Sequence, residues 1–211
     1  MKIRTGLLIL CSVLVAAGCT SQSRPVVGNM SVAQRSPEEA WQERQRLFAD
    51  MKRWRLKGRL GLQLREEGWS FGINWLDRGN GRYDISIAHA TGVLMAMVQS
   101  TGSRVSLRAA DGKVYQDTSA ERLLAKHLGL NFPLNHLRYW VRGIPVPGVR
   151  IDAIQLDAQG RPSILQQAGW SIKYPTYKGK GVTALPARID LERAIEQVKA
   201  RLAAREWQTK F

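Results

Sequence analysis

The chain has little with which to do chemistry. Its 211 residues include two cysteines and three histidines. His89, His127 and His136 are scattered, and none stands beside a cysteine or a pair of carboxylates. That leaves no nucleophile–base arrangement and no metal-ligand spacing. Tyr177–Gly181 (YKGKG) has glycines and lysines but lacks the spacing and terminal Lys-Ser/Thr of a phosphate-binding loop, and reads as a flexible turn. The chain is therefore not expected to be an enzyme. Acidic residues are few: 17 Asp and Glu against 32 Lys and Arg, for a net charge of +15. Such a balance points to nucleic acid or to an anionic surface. No base-stacking motif accompanies the charges, so they read as a solvated basic face, with docking on acidic lipid or an acidic protein as the second reading. Beyond the first residues, membrane-spanning runs are lacking too. Ile85–Met97 (ISIAHATGVLMAM) carries no charge, but it is too short, and too rich in Ser, His, Thr and Gly, to cross a bilayer, which takes about 20 mostly apolar residues. It begins as an alternation, loses it at Ala88–Gly92, and then runs apolar on both faces.

What is present begins with a leader. Residues 1–18 carry Lys2 and Arg4, an apolar run, and small residues at Ala16, Ala17 and Gly18, the pattern of a cleaved signal peptide. With Cys19 they resemble the bacterial lipobox, although Ala16 stands where Leu is commoner. Cleavage removes Cys11 and makes Cys19 the only cysteine. A lone thiol in an oxidising compartment is a liability, and acylation removes it. Diacylglycerol and an N-acyl chain on Cys19 are the only non-protein groups expected; no cofactor or metal is. Thr20, rather than Asp, follows, which favours the outer membrane. Outside the cytoplasm a nucleic-acid partner is not expected. Residues 19–35 form a lipidated, flexible tether of Ser, Gln, Pro, Gly and Val. Residues 36–211 are long enough for one domain with a sizeable core.

Ser36, Pro37 and Glu39 form a helix-start signature, and Trp41, Leu47, Phe48, Met51 and Trp54 recur at helical spacing, with Arg44, Arg46, Asp50 and Arg53 on the remaining turns. From Trp54 the period becomes two: Trp54, Leu56, Gly58, Leu60, Leu62 and Leu64 alternate with mostly charged residues. Trp69, Phe71, Ile73 and Trp75 repeat this, Asp77–Gly81 turns the chain, and Tyr83, Ile85 and Ile87 give a third strand. A fourth strand follows the Ile85 stretch, Val105 and Leu107 give a fifth, and Val114 and Tyr115 start a sixth. Thr118-x-x-Glu121 predicts a capped helix ending at Gly129, and Leu134, Leu137, Trp140 and Val141 share the face of a short second one. Strands resume at 149–156, 164–168 and 170–174. For the last segment, ERAIEQVKARLAAREW, residue propensity favours helix while the alternation of Val198, Ala200 and Leu202 favours a strand. Ten or eleven half-apolar strands must curl around their apolar side. Alternation does not decide whether side chains fill the interior or leave a cavity.

The string Pro133-Leu134-Asn135-x-Leu137-Arg138-x-Trp140-x-x-Gly143-x-Pro145 resembles the corresponding segment of the LolB family of outer-membrane lipoproteins. Ser36-Pro37, Trp41, Gly58, Trp75, Arg82-Tyr83, Trp170–Tyr177 (WSIKYPTY), Leu185-Pro186-Ala187 and Trp207 match in the same order. The resemblance implies a mainly β fold, an incomplete, half-open antiparallel β-barrel of about eleven strands with helices covering the mouth and an apolar cavity. It implies that the last segment is strand, turn and strand. It also implies the function: accepting lipoproteins from the periplasmic carrier LolA and placing them in the inner leaflet of the outer membrane, as a periplasm-facing monomer. The partners so implied are LolA, lipoprotein cargo and outer-membrane lipid. The alternative is a lipoprotein of this fold that handles a different amphiphile. Candidates to line the cavity are Leu60, Leu62, Leu64, Phe71, Ile73, Trp75, Ile85, Ile87, Leu107, Leu137, Trp140, Trp170 and Ile172. In the family the loop between the third and fourth strands carries an exposed leucine that matters for delivery. That position falls on Thr91, so this sequence departs from the pattern; of Thr91, Gly92, Val93 and Leu94, Leu94 with Val93 is expected to take the membrane-touching role.

Overall fold

The computed structural model describes residues 35–51 and 53–210. The leader, Cys19 and the tether up to residue 34 lie outside the described residues. Helix α1 spans Pro37–Ala49, and its capping box is in place: the Glu39 N–H donates to Ser36 Oγ at 3.2 Å and the Ser36 N–H to Glu39 Oε2 at 3.0 Å. Strands β1 (Arg53–Leu64), β2 (Glu67–Asp77), β3 (Arg82–Ala88), β4 (Leu94–Thr101), β5 (Val105–Ala109) and β6 (Val114–Asp117) follow as an antiparallel meander. Then come α2 (Ala120–Leu128) and α3 (Leu134–Trp140), and a second meander of β7 (Ile151–Leu156), β8 (Pro162–Gln167), β9 (Trp170–Lys178), β10 (Leu185–Arg193) and β11 (Val198–Lys210).

One sheet of eleven strands results, in the order β6-β5-β4-β3-β2-β1-β11-β10-β9-β8-β7. The first and last strands join the two meanders along twelve paired positions, from Arg53↔Lys210 to Leu64↔Val198. The sheet stays open, with β6 and β7 as its edges. β11 is a strand despite its helix-forming composition because β1 and β10 flank it on both sides and every second residue from Val198 to Leu202 is buried. Gly58 sits where the β1–β11 register shifts. A Cβ there would lie 2.3 Å from the Ala203 carbonyl oxygen, so no larger residue fits while these backbones approach as they do.

Two local readings change. The cap of α2 is Ser119, not Thr118: the Asp117 carboxylate takes the Ser119 N–H at 3.0 Å, and Ser119 Oγ then accepts from the Arg122 N–H at 3.3 Å. Glu121 reaches instead to the start of α3, accepting from the Asn135 N–H at 2.8 Å. The helical stripe also ends early, because Trp54 belongs to β1, and the buried face of α1 is Ala40, Arg44 and Phe48. Arg44, placed by pattern on a polar turn, is wholly buried. It donates to the carbonyls of Arg142, Gly143, Val182 and Ala184 at 2.6–3.1 Å and lies 4.3 Å from the Phe48 ring centroid. Burial pulls its pKa down to about 10, so it is still charged at neutral pH.

A largely buried ion pair holds α3. Arg138 forks onto the Asp77 carboxylate at 2.6 and 3.1 Å. On the other flank of α3, the buried Gln167 side chain accepts from Trp140 Nε1 at 3.0 Å and from the Val146 N–H at 2.9 Å, and donates to the Val146 and Val149 carbonyls. These bonds tie α3 to the end of β2 on one flank and to the end of β8 on the other.

An apolar cavity behind one rim of the sheet

The interior is partly filled and partly hollow. Toward the starts of β1 and β3, Trp54 packs at a tilt against Trp75 and Trp207, with ring centroids 5.1 Å and 5.7 Å away, and Tyr83 meets Trp75 edge-on at 6.3 Å. At the end of α3, the Trp140 ring lies 6.1 Å from that of Trp170 on β9. Beyond these side chains, toward the end of β1, a cavity of about 370 Å³ opens. Its walls come from β1 (Leu62, Leu64), β2 (Glu67, Trp69, Phe71), β3 and β4 (Ile87, Met95, Ala96), β11 (Val198), and the Leu128–Phe132 segment that ends α2. Glu67 and Asn131 supply its only polar side chains. A cavity of this volume is at the lower end of the small-ligand range, about 300–1,000 Å³. Such a wall offers dispersion contact and dry surface without directional bonds, which suits an alkyl chain rather than a polar solute.

Of the residues that pattern singled out for the lining, Leu62, Leu64, Phe71 and Ile87 stand on the cavity wall. Ile73, Trp75, Ile85, Leu107, Leu137, Trp140, Trp170 and Ile172 are packed in the core, and Leu60 is half-buried against it. Period-two alternation gives the face a residue occupies, but not whether a larger neighbour fills the space before it. Trp69 shares the alternating face of β2 and was within reach of that reasoning. Met95, Ala96 and Val198 needed the strand register. Leu130 and Phe132 sit in an aperiodic connector, and only the αL residue Gly129 (φ 66°), which turns the chain back beneath α2, puts them on the wall.

The loop between β3 and β4 projects from the same end. The His89 N–H bonds the Val93 carbonyl at 2.8 Å and the Gly92 N–H bonds the His89 carbonyl at 2.9 Å, which closes a tight turn with Gly92 at φ 90°. Thr91, Gly92, Val93 and Leu94 are all exposed, Val93 at 62 %. Among the described residues no group of His, Cys, Asp or Glu is placed to hold a metal, and no helix is long and apolar enough to cross a membrane.

Comparison with known proteins places this architecture. The family description "Outer membrane lipoprotein LolB" matches residues 52–207, which include β1 to β10 and most of β11. The chain belongs to the LolB family. Curated relatives carrying the name outer-membrane lipoprotein LolB include one from Nitrosococcus oceani, 34 % identical over 95 % of this chain and 96 % of its own length. Another, from Halorhodospira halophila, is 32 % identical over 74 % of this chain and 76 % of its own. A third, from Pseudomonas aeruginosa, is 31 % identical over 81 % of both. Among solved structures, a LolA superfamily protein from Nitrosomonas europaea superposes with a TM-score of 0.51 at 9 % identity, covering 84 % of this chain and 94 % of that one. A DUF1329 family protein from Desulfovibrio piger gives 0.55 at 7 % identity, over 83 % and 94 %. These two share the fold. Membership of the LolB family makes the chain an outer-membrane lipoprotein that acts in lipoprotein localisation rather than as an enzyme.

Proposed function

We propose that the chain takes lipoproteins from a LolA-type periplasmic carrier, holds their acyl chains in the cavity between Leu62 and Phe132, and releases them into the inner leaflet of the outer membrane. The apolar lining of that cavity carries the reading. Each exposed CH₂ of an acyl chain costs about 0.8 kcal/mol, so lipidated cargo needs an escort across water. A non-directional pocket binds such chains without competing with a bilayer, in which the same surface is more fully covered, and transfer then runs downhill without nucleotide. In this reading Cys19, carrying diacylglycerol and an N-acyl chain, anchors a monomer in the membrane to which it delivers, and Val93 and Leu94 touch that membrane.

The test is transfer. Carrier loaded with lipoprotein is mixed with the purified chain, and then with liposomes. Cargo should pass first to the chain and then to the liposomes. Leu64→Trp, which fills the cavity, should abolish the first step while the protein still folds. Leu94→Glu should spare the first step and weaken the second at least tenfold. Binding of free lipid without acceptance of cargo would instead make this a lipoprotein for a different amphiphile.

A further inference from the structure

The exposed apolar side chains are not scattered. Among the described residues the large hydrophobics left exposed are Trp69, Val93, Leu94, Val114, Ile151 and Ile195. The strand register puts every one of them on one rim. Leu64, at the end of β1, faces Glu67 and Val198, so the β1–β2 and β10–β11 turns share that rim. Gly72 faces Ala88, which faces Leu94, and this adds the β3–β4 turn. Ala96 faces Ala109, and Arg108 faces Val114, which adds the β5–β6 turn. Glu192 faces Ser171, Trp170 faces Gln167, and Gln167 faces Ile151, which brings in the start of β7. The turns of the opposite rim hold none of these exposed hydrophobics and carry Arg78, Arg104, Arg161 and Lys180. Single exposed apolar residues are ordinary. Their confinement to one rim is not.

Ile195 is the extreme case, 88 % exposed at the tip of the turn between β10 and β11. The turn holds itself without it: the Gln197 N–H bonds the Ala194 carbonyl at 3.0 Å, Gln197 takes the left-handed region at φ 53°, and Arg193 pairs with Glu196 at 3.1 Å. Ile195 also lines an open groove of about 1460 Å³. That groove and the apolar cavity share Leu64, Glu67, Asn131 and Val198, so the tip stands at the outer end of a passage into the cavity.

We propose that this rim is the face that meets a phospholipid bilayer, and that Ile195 is a second point of insertion. It lies on the far side of the β1–β2 turn from Val93 and Leu94. The inference deepens the delivery function proposed above and rests on it for the cargo; the bilayer follows from the family's place in the outer membrane. One apolar tip leaves a protein free to pivot on a membrane. Two tips, separated in the sheet by β2 and β1, hold the passage against the lipid. Around the tip Arg193 pairs with Glu196 and Lys199 with Glu192, so these charges largely offset one another and the aliphatic side chain of Ile195, reaching the acyl boundary, carries the contact.

The experiment uses the full lipidated chain on vesicles of phosphatidylethanolamine and phosphatidylglycerol. An environment-sensitive fluorophore is attached in turn at Ile195→Cys, Leu94→Cys and, on the opposite rim, Ala158→Cys, with the unsubstituted chain as blank. The labels at 195 and 94 should shift to the blue and be quenched by lipid-borne quenchers, and the label at 158 should stay in water. Ile195→Asp should lower delivery to vesicles about tenfold, from loss of one buried aliphatic side chain, with uptake from the carrier unchanged. Quenching at 94 but not at 195 overturns the second insertion point and leaves the delivery function standing. Shielding of 195 by loaded carrier but not by vesicles makes the rim a protein-docking surface and also overturns it. Quenching at both sites in a chain that accepts no cargo would sustain the membrane contact and remove the delivery function.

Discussion

At the scale of single residues, the side chains that hold this domain together are charged ones that pattern reading placed in water. Arg44 has four carbonyls around it and no carboxylate among its hydrogen-bond partners. Its partners come from the segments after α3 and before β10, so one guanidinium gathers two loops against α1. Replacing it by the similar-sized Arg44→Met leaves those carbonyls buried and unpaired, each at about 1–3 kcal/mol. A loss of at least about 3 kcal/mol is expected in urea unfolding; a variant within about 1 kcal/mol of the parent would mean that water replaces the bonds. The alternation of Ala40, Arg44 and Phe48 at intervals of four was visible in the sequence. What hid the role was that helical periodicity is read from apolar residues, whereas a buried arginine is identified only by the carbonyls it meets.

At the scale of elements, β1 and β11 are decisive, since they join the two meanders. Their pairing depends on a close approach at Gly58, and the bulge there absorbs one extra residue of β11, Arg205. Gly58→Ala is expected to break this contact and lower stability by more than about 2 kcal/mol, with the loss of protection in hydrogen exchange confined first to residues 56–60 and 202–206. Uniform loss over the sheet would show instead that the two meanders do not separate at this seam. The strands of the first meander were legible because each has one wet face and one dry face. The end of the chain was not legible from composition, because Glu, Lys, Arg and Ala form helices readily in isolation; pairing on both sides overrides that preference.

At the scale of the whole described domain, the cavity occupies only what the Trp54–Trp75–Trp207 cluster and the Trp140–Trp170 pair leave open. Its lid is the short connector from Gly129 to Phe132, held to α2 by the Gly129 N–H on the Ala125 carbonyl at 3.2 Å and the Leu130 N–H on the Leu124 carbonyl at 3.1 Å. At about 370 Å³ the cavity is small for several acyl chains together, so cargo should lift this connector. Loading with lipoprotein is expected to speed hydrogen exchange at the Gly129 and Leu130 amides while β1 and β11 keep their protection. Unchanged exchange there would mean that the chains enter through the groove beside Ile195 and leave the connector in place.

The sequence by itself determined the strand count to within one, the turns, the capped first helix and the family, because all of these follow from local periodicity or from short strings of fixed spacing. Only the tertiary structure decided how the interior divides. Whether a buried face meets a neighbouring ring or empty space depends on register across strands and on a helix and connector packed from distant parts of the chain. The same register gathered Trp69, Val93, Leu94, Val114, Ile151 and Ile195 onto one rim. No spacing along the chain encodes that grouping, because the residues are brought together by the folding of eleven strands into a single sheet.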